Sequence, residues 1–110
     1  MTYSEESEPE PTRADVDQMT GPVLLEFGAA WCGHCQALQP DLVKALAAQA
    51  NVRHIKIEDG KGKPLGRSFG VKLWPTLVFL QDGRVLKQVS RPSSDELSQG
   101  MSLLAHGGTA

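Results

Sequence analysis

Cysteine is nearly missing from this sequence: 110 residues contain two, Cys32 and Cys35. A disulfide-stapled small scaffold needs more. A bridge between positions this close would close a tiny loop and constrain the unfolded chain little. If the pair is bonded, the bond serves chemistry. Aromatic residues are also few, at 5%. No apolar run approaches the roughly 18 residues that suggest a membrane span. A basic excess is lacking too: the formal net charge is −2, so nothing points to nucleic acid. The first residues have neither the basic start nor the apolar stretch of a secretory leader, and the expected setting is the cytoplasm.

What remains is the composition of an ordinary globular domain, 40% hydrophobic and 22% charged, with length for one domain and no room for two. Charge is unevenly spread. Residues 1–12 carry Glu5, Glu6, Glu8 and Glu10 without a Lys or Arg, and the rest of the chain is net positive. Residues 1–11 also hold Pro9, Pro11 and a single aromatic, Tyr3. Such a segment buries too little surface to offset its ordering entropy, so it reads as a disordered acidic tail. The domain is expected at residues 12–106, and 107–110 as a loose end. A monomer is the default for this size.

The chain then alternates helical and extended patterns. Thr12 with Asp15 reads as a capping box for a short helix to Met19, stopped by Gly21-Pro22. Val23 to Phe27 is an apolar run of the kind buried on both faces, with one acid, Glu26, inside it. Apolar residues at helical spacing run from His34 to Gln49, with Pro40 inside. Val52 to Glu58 reads as a strand, and Pro64 opens a short helix that Gly70 ends. Thr76–Leu80 and Arg84–Val89 are two strands joined across Asp82-Gly83, a strong hairpin signal. Ser93 with Glu96 forms a second capping box, and the helix it opens stops at Gly107-Gly108. A right-handed parallel unit followed by an antiparallel hairpin gives an α/β fold: a mixed four-stranded sheet sandwiched by about four helices.

Trp31-Cys32-Gly33-His34-Cys35 lies where the buried strand turns into the long helix. Cys32 falls at the helix N-terminus, where unpaired amides and the helix dipole favour a thiolate. Cys35 lies about one turn on, the less exposed of the two, and its sulfur can meet that of Cys32. An attacking thiolate beside a resolving thiol suits disulfide exchange through a mixed disulfide. C-x-x-C is also a zinc-knuckle spacing. No second cysteine pair exists, and of His34, His54 and His106 the first lies between the cysteines, poorly placed to chelate with both. No metal site is expected. A binding module with an idle cysteine pair, and a metal carrier, stand as the alternatives outside catalysis.

Phe27 to Cys35 resembles the active-site segment of the thioredoxin superfamily. Phe69-Gly70-Val71-Lys72-Leu73-Trp74-Pro75-Thr76 resembles the stretch that carries its cis-proline loop, and Asp82-Gly83 its hairpin turn. The resemblance covers residues 12–105 in consistent order. It implies a nucleophile at Cys32, a resolving thiol at Cys35, and a cis Pro75 facing them. The Trp74 backbone would pair with bound substrate, with Trp31 packed beside the cysteines. Glu26 falls at the family's buried acid, positioned to trade a proton with Cys35, and Lys56 at the lysine near that acid.

The chain also departs from the family pattern. No apolar run precedes Thr12, so the family's first edge strand is expected to be missing. Ser90 or Arg91 stands where a glycine usually follows the last strand, bringing charge to the substrate groove if Arg91 points inward. Cys-Gly-His-Cys is the pattern of protein disulfide isomerase, and His34 is expected to stabilise the Cys32 thiolate. The resemblance implies a thiol–disulfide oxidoreductase that reduces protein disulfides with its own cysteine pair and no bound cofactor. An external reductase or glutathione would supply electrons. An oxidant or isomerase of the same fold is the alternative.

Overall fold

The computed structural model describes residues 10–107. The expected acidic tail therefore lies largely outside the described residues, as do the last three residues of the expected C-terminal end. The element order is α1 (Arg13–Asp17), β1 (Pro22–Gly28), α2 (Gly33–Ala47), β2 (Arg53–Glu58), α3 (Pro64–Ser68), β3 (Thr76–Gln81), β4 (Arg84–Ser90) and α4 (Ser94–Ala105). Each expected element is present, with ends shifted by one or two residues. Helix α1 stops at Asp17, short of the expected Met19, because Gln18 already caps it.

Local chemistry explains the element ends. Thr12 Oγ1 accepts from the Asp15 amide while the Asp15 carboxylate takes the Thr12 amide. Ser93 and Glu96 repeat the arrangement at α4. Each box satisfies two amides that a helix start leaves orphaned. The β3–β4 connection uses Asp82 at φ +52 and Gly83 at φ +77. Positive φ at both central residues gives the hairpin a twist that matches its strands. The Asp82 carboxylate also accepts from the Gly21 amide at 2.8 Å and so ties the hairpin to the start of β1.

The sheet has the order β2-β1-β3-β4. Strand β1 runs parallel to β2 and antiparallel to β3, and β3 pairs antiparallel with β4. Four strands are present among the described residues, as the absence of an apolar run before Thr12 implied. The two central strands are buried on both faces. On one face Val23, Leu25, Phe27 and Val78 pack with Val16 of α1 and Leu65 of α3. On the other, Leu24, Leu77 and Phe79 pack with Leu42 of α2 and with Leu97, Met101 and Leu104 of α4. Gly100 lets α4 approach closely: a Cβ there would fall inside contact distance of the Phe79 ring. Glu26 lies on this second face, two residues after Leu24, at the end of β1 that leads into α2.

Candidate functional site

The exit from β1 sets the site. After Gly28 the chain turns through Ala29 and Ala30, and the Cys32 amide donates to the Ala29 carbonyl at 3.1 Å. Cys32 is the N-cap of α2, with extended backbone, and its Sγ accepts from the Cys35 amide at 3.2 Å. This is where a helix presents free amides to an anion. Both cysteines are free thiols. Cys32 retains 9% of its surface and Cys35 only 1%, the expected order of exposure.

The Cys35 thiol is pushed up to about 12 from an ordinary 9.0. Burial is the largest cause, followed by the hydrogen bond with Cys32; the charges of Cys32 and Glu26 act in the same direction. The two sulfurs therefore play different parts. Cys32 is the more accessible of the two, with an amide on its sulfur, and Cys35 is a protonated thiol held behind it. For Cys35 to attack, a base must take its proton.

Glu26 is the acid that the sequence suggested for this part, and its side chain is completely buried. One carboxylate oxygen, Oε2, accepts from Gln39 Nε2 at 2.7 Å; the other, Oε1, lies 2.7 Å from His54 Nε2. Gln39 Nε2 also reaches the Cys35 carbonyl at 3.0 Å. Lys56 is the register partner of Glu26 on β2, and its Nζ donates to Gln39 Oε1 at 2.8 Å. Gln39 thus links the acid, the lysine and the backbone of the resolving cysteine. The sequence places Glu26 and Lys56 at the buried acid, offers His54 only as a candidate metal ligand, and does not single out Gln39. The signals were there: Gln39 is one helical turn after Cys35, and His54 shares a strand face with Lys56 two residues away.

The opposite wall comes from the loop before β3. The Trp74–Pro75 peptide bond is cis, and Pro75 is buried. Trp74 packs against the cluster of Ala29, Cys32 and Cys35. Its indole Nε1 donates to Asp59 Oδ2 at 2.8 Å. Gly66 leaves the space that the Asp59 carboxylate occupies, since a Cβ there would collide with it. The expectation that Trp31 packs beside the cysteines needs correction. Trp31 is 73% exposed and touches Trp74 edge-on, with ring centroids 5.3 Å apart. The cover is Trp74, whose indole is held by the half-buried Asp59 carboxylate.

Ser90 ends β4 with its hydroxyl against Thr76, and Arg91 follows it against this loop. It adopts φ +49, its amide donates to the Pro75 carbonyl at 2.7 Å, and its Nε donates to the Trp74 carbonyl at 3.0 Å. The guanidinium therefore engages the backbone acceptor that the resemblance reserves for substrate. Gly33 and His34 are exposed on the first turn of α2. The basic residues Lys61, Lys63, Arg67 and Lys72 line an open cleft of about 410 Å³ that ends at Trp74. Among the described residues no group of three or more His, Cys, Asp or Glu is arranged to hold a metal, and no helix is long and apolar enough to cross a membrane.

A strand–turn–helix that presents two cysteines opposite a cis-proline is matched over residues 5–102 by the thioredoxin family model. The chain belongs to the thioredoxin family. Among solved structures, reduced thioredoxin 2 from Pseudomonas aeruginosa PAO1 is 49% identical, with a TM-score of 0.80 covering 96% of this chain and 97% of that one. A thioredoxin H-type protein of Ricinus communis is 30% identical over 79 residues, covering 72% of this chain and 67% of that protein. Protein disulfide-isomerase A2 of Pongo abelii is 49% identical over 65 residues, which is 56% of this chain but only 12% of that protein. The chain thus resembles whole thioredoxins along their length and one small part of the isomerase. The thioredoxin fold and the dithiol stand as the sequence reading expected.

Proposed function

We propose that this chain is a thiol–disulfide oxidoreductase that reduces disulfides in other proteins. The arrangement of Cys32 at the N-cap of α2, with the Cys35 amide on its sulfur and a protonated Cys35 behind it, carries the reading. Cys32 as thiolate attacks one sulfur of a target disulfide. The target S–S bond breaks, a Cys32–target disulfide forms, and the other target sulfur leaves as thiolate. Cys35 then gives its proton to Glu26 and attacks Cys32 Sγ. The mixed disulfide breaks, the Cys32–Cys35 bond forms, and the second target sulfur is released. The target gains two electrons and the protein loses two.

Trp31, Trp74, Pro75 and Arg91 form the rim on which the target rests. The electrons pass through the cysteine pair itself, with no bound cofactor. A reductase or glutathione restores the dithiol, in keeping with the thioredoxin family, and a reducing cytoplasm is the setting that suits a reductant.

The isomerase-type Cys32-Gly33-His34-Cys35 sequence favours a second reading, a disulfide oxidant or isomerase on the same site. Equilibrating the pair against a glutathione series, followed by Trp fluorescence, separates the two. A potential near about −270 mV supports the reductant, and one near about −180 mV the oxidant or isomerase. If no reversible disulfide forms, both readings fail and a binding module takes their place.

A further inference from the structure

Glu26 has no exposed side-chain surface. If it takes the proton of Cys35 at each oxidation, as proposed above, it must pass that proton to water and recover one at each reduction. The surroundings offer few ways to do so. On α2, Gln39 holds Oε2 with an amide, which carries no proton at neutral pH. On β3, the register partner of Glu26 is Leu77. Helix α4 turns Leu97, Met101 and Leu104 toward this face of the sheet. Among the described residues, the titratable groups near it include Cys32 and Cys35 at the start of α2 and His54 and Lys56 on β2. Lys56 donates to Gln39 Oε1 and so orients the amide.

His54 is different on two counts. Its Nε2 is 2.7 Å from Glu26 Oε1, and its side chain keeps 12% of its surface against none for Glu26. It contacts the buried carboxyl directly and itself reaches solvent. Imidazole is also the side chain that takes up a proton at one nitrogen and releases one from the other near neutral pH.

We infer that His54 is the proton port of the site, joining the buried Glu26 carboxyl to water across the Oε1–Nε2 hydrogen bond. On oxidation the Cys35 proton enters the Glu26 carboxyl as the proton held on Oε1 in the Oε1–Nε2 hydrogen bond moves onto Nε2, and the proton on Nδ1 departs to water. On reduction Nδ1 takes a proton from water, the Nε2 proton returns to Oε1, and the carboxyl gives its other proton to the departing Cys35 thiolate. The second half-cycle reverses the first and restores the original tautomer, so no net proton stays on the ring. His54 touches neither substrate nor sulfur and acts through Glu26 as a positioning and proton-passing residue.

The inference rests on Glu26 as the base, and the test separates the two. The release of a fluorescent target thiol from the Cys32 mixed disulfide is followed in single turnover across pH, in the full chain and in His54→Gln, His54→Ala and Glu26→Gln. Alkylation of Cys32 and the thermal midpoint report whether each variant is folded. Glutamine keeps a donor for Oε1 but carries no proton. His54→Gln is expected to slow release about tenfold or more at neutral pH, within the range of a lost acid–base contribution, and to change the shape of the pH profile from that of the unsubstituted chain. Imidazole added to His54→Ala is expected to recover part of the rate. If His54→Gln releases the target at the wild-type rate with the wild-type profile while Glu26→Gln is slow, the port is elsewhere and the inference is overturned with Glu26 intact. If neither variant is slow, the reading of Glu26 falls and the port with it. If His54→Gln is slow but keeps the shape of the unsubstituted chain's pH profile, and imidazole does not restore His54→Ala, the role is structural and the inference is likewise overturned.

Discussion

Alkylation of the reduced protein should strike one cysteine and spare the other. The Cys35 thiol is raised from 9.0 to about 12, chiefly by burial. At pH 7 a shift of that size lowers the thiolate fraction about a thousandfold. The thiolate that does form is a better nucleophile, because reactivity rises with basicity along a Brønsted slope of about 0.4–0.5, which returns roughly twentyfold. The net expectation is a reaction about fiftyfold slower than that of an unperturbed thiol, before counting the 1% exposure that obstructs the reagent. Iodoacetamide labelling at pH 7, quenched at intervals and read by peptide mass spectrometry, should give a first adduct on Cys32 and a much slower second one. A Cys32→Ser variant isolates the question, since it removes the neighbouring sulfur but leaves burial, the first cause. If Cys35 in that variant labels within a few-fold of a cysteine-containing peptide, burial does not control this thiol and the division of labour between the sulfurs is wrong.

The same raised titration has a consequence for stability. Cys35 is neutral in the folded chain where an unfolded thiol would already ionise, so its contribution is complete below about pH 9 and is lost as pH rises toward 12; urea midpoints of the reduced protein should fall over that window and those of Cys35→Ala should fall less. At the acid end, the Ser93 amide holds the Glu96 carboxyl below its usual range, and the Thr12 amide does so for Asp15. The stability these boxes add is present above the ordinary carboxylate range and lost as pH falls through it, and Ser93→Ala should cost about 1 kcal/mol at neutral pH by thermal melting. Gly100→Ala should destabilise by about 1–3 kcal/mol through overpacking on Phe79, despite alanine's better helix propensity; a raised thermal midpoint would show that the ring has room. Arg91→Gly frees the Trp74 carbonyl and should lower KM for an extended peptide disulfide with little change in kcat, whereas an unchanged KM would remove Arg91 from the docking rim.

Much of this protein is determined by the sequence alone because its signals are local. Capping boxes at Thr12–Asp15 and Ser93–Glu96 satisfy amides three residues away, and Asp82-Gly83 supplies the positive φ its turn needs. Glu26 stands out as an acid in an apolar strand, and two cysteines at a strand-to-helix junction point to thiol chemistry. What only the tertiary structure decided are contacts between segments remote in the chain. His54 meets Glu26 because β2 lies beside β1 in parallel register, and nothing local in either strand encodes that pairing. Gln39 reaches the same carboxylate only once α2 packs on that face of the sheet. Trp74 rather than Trp31 covers the cysteines because Asp59, just after β2, holds its indole. Sequence patterns report which face of an element is apolar, since burial is a property each residue carries with it. Hydrogen bonds between buried polar groups depend on which elements become neighbours, and that is settled only when the sheet is assembled.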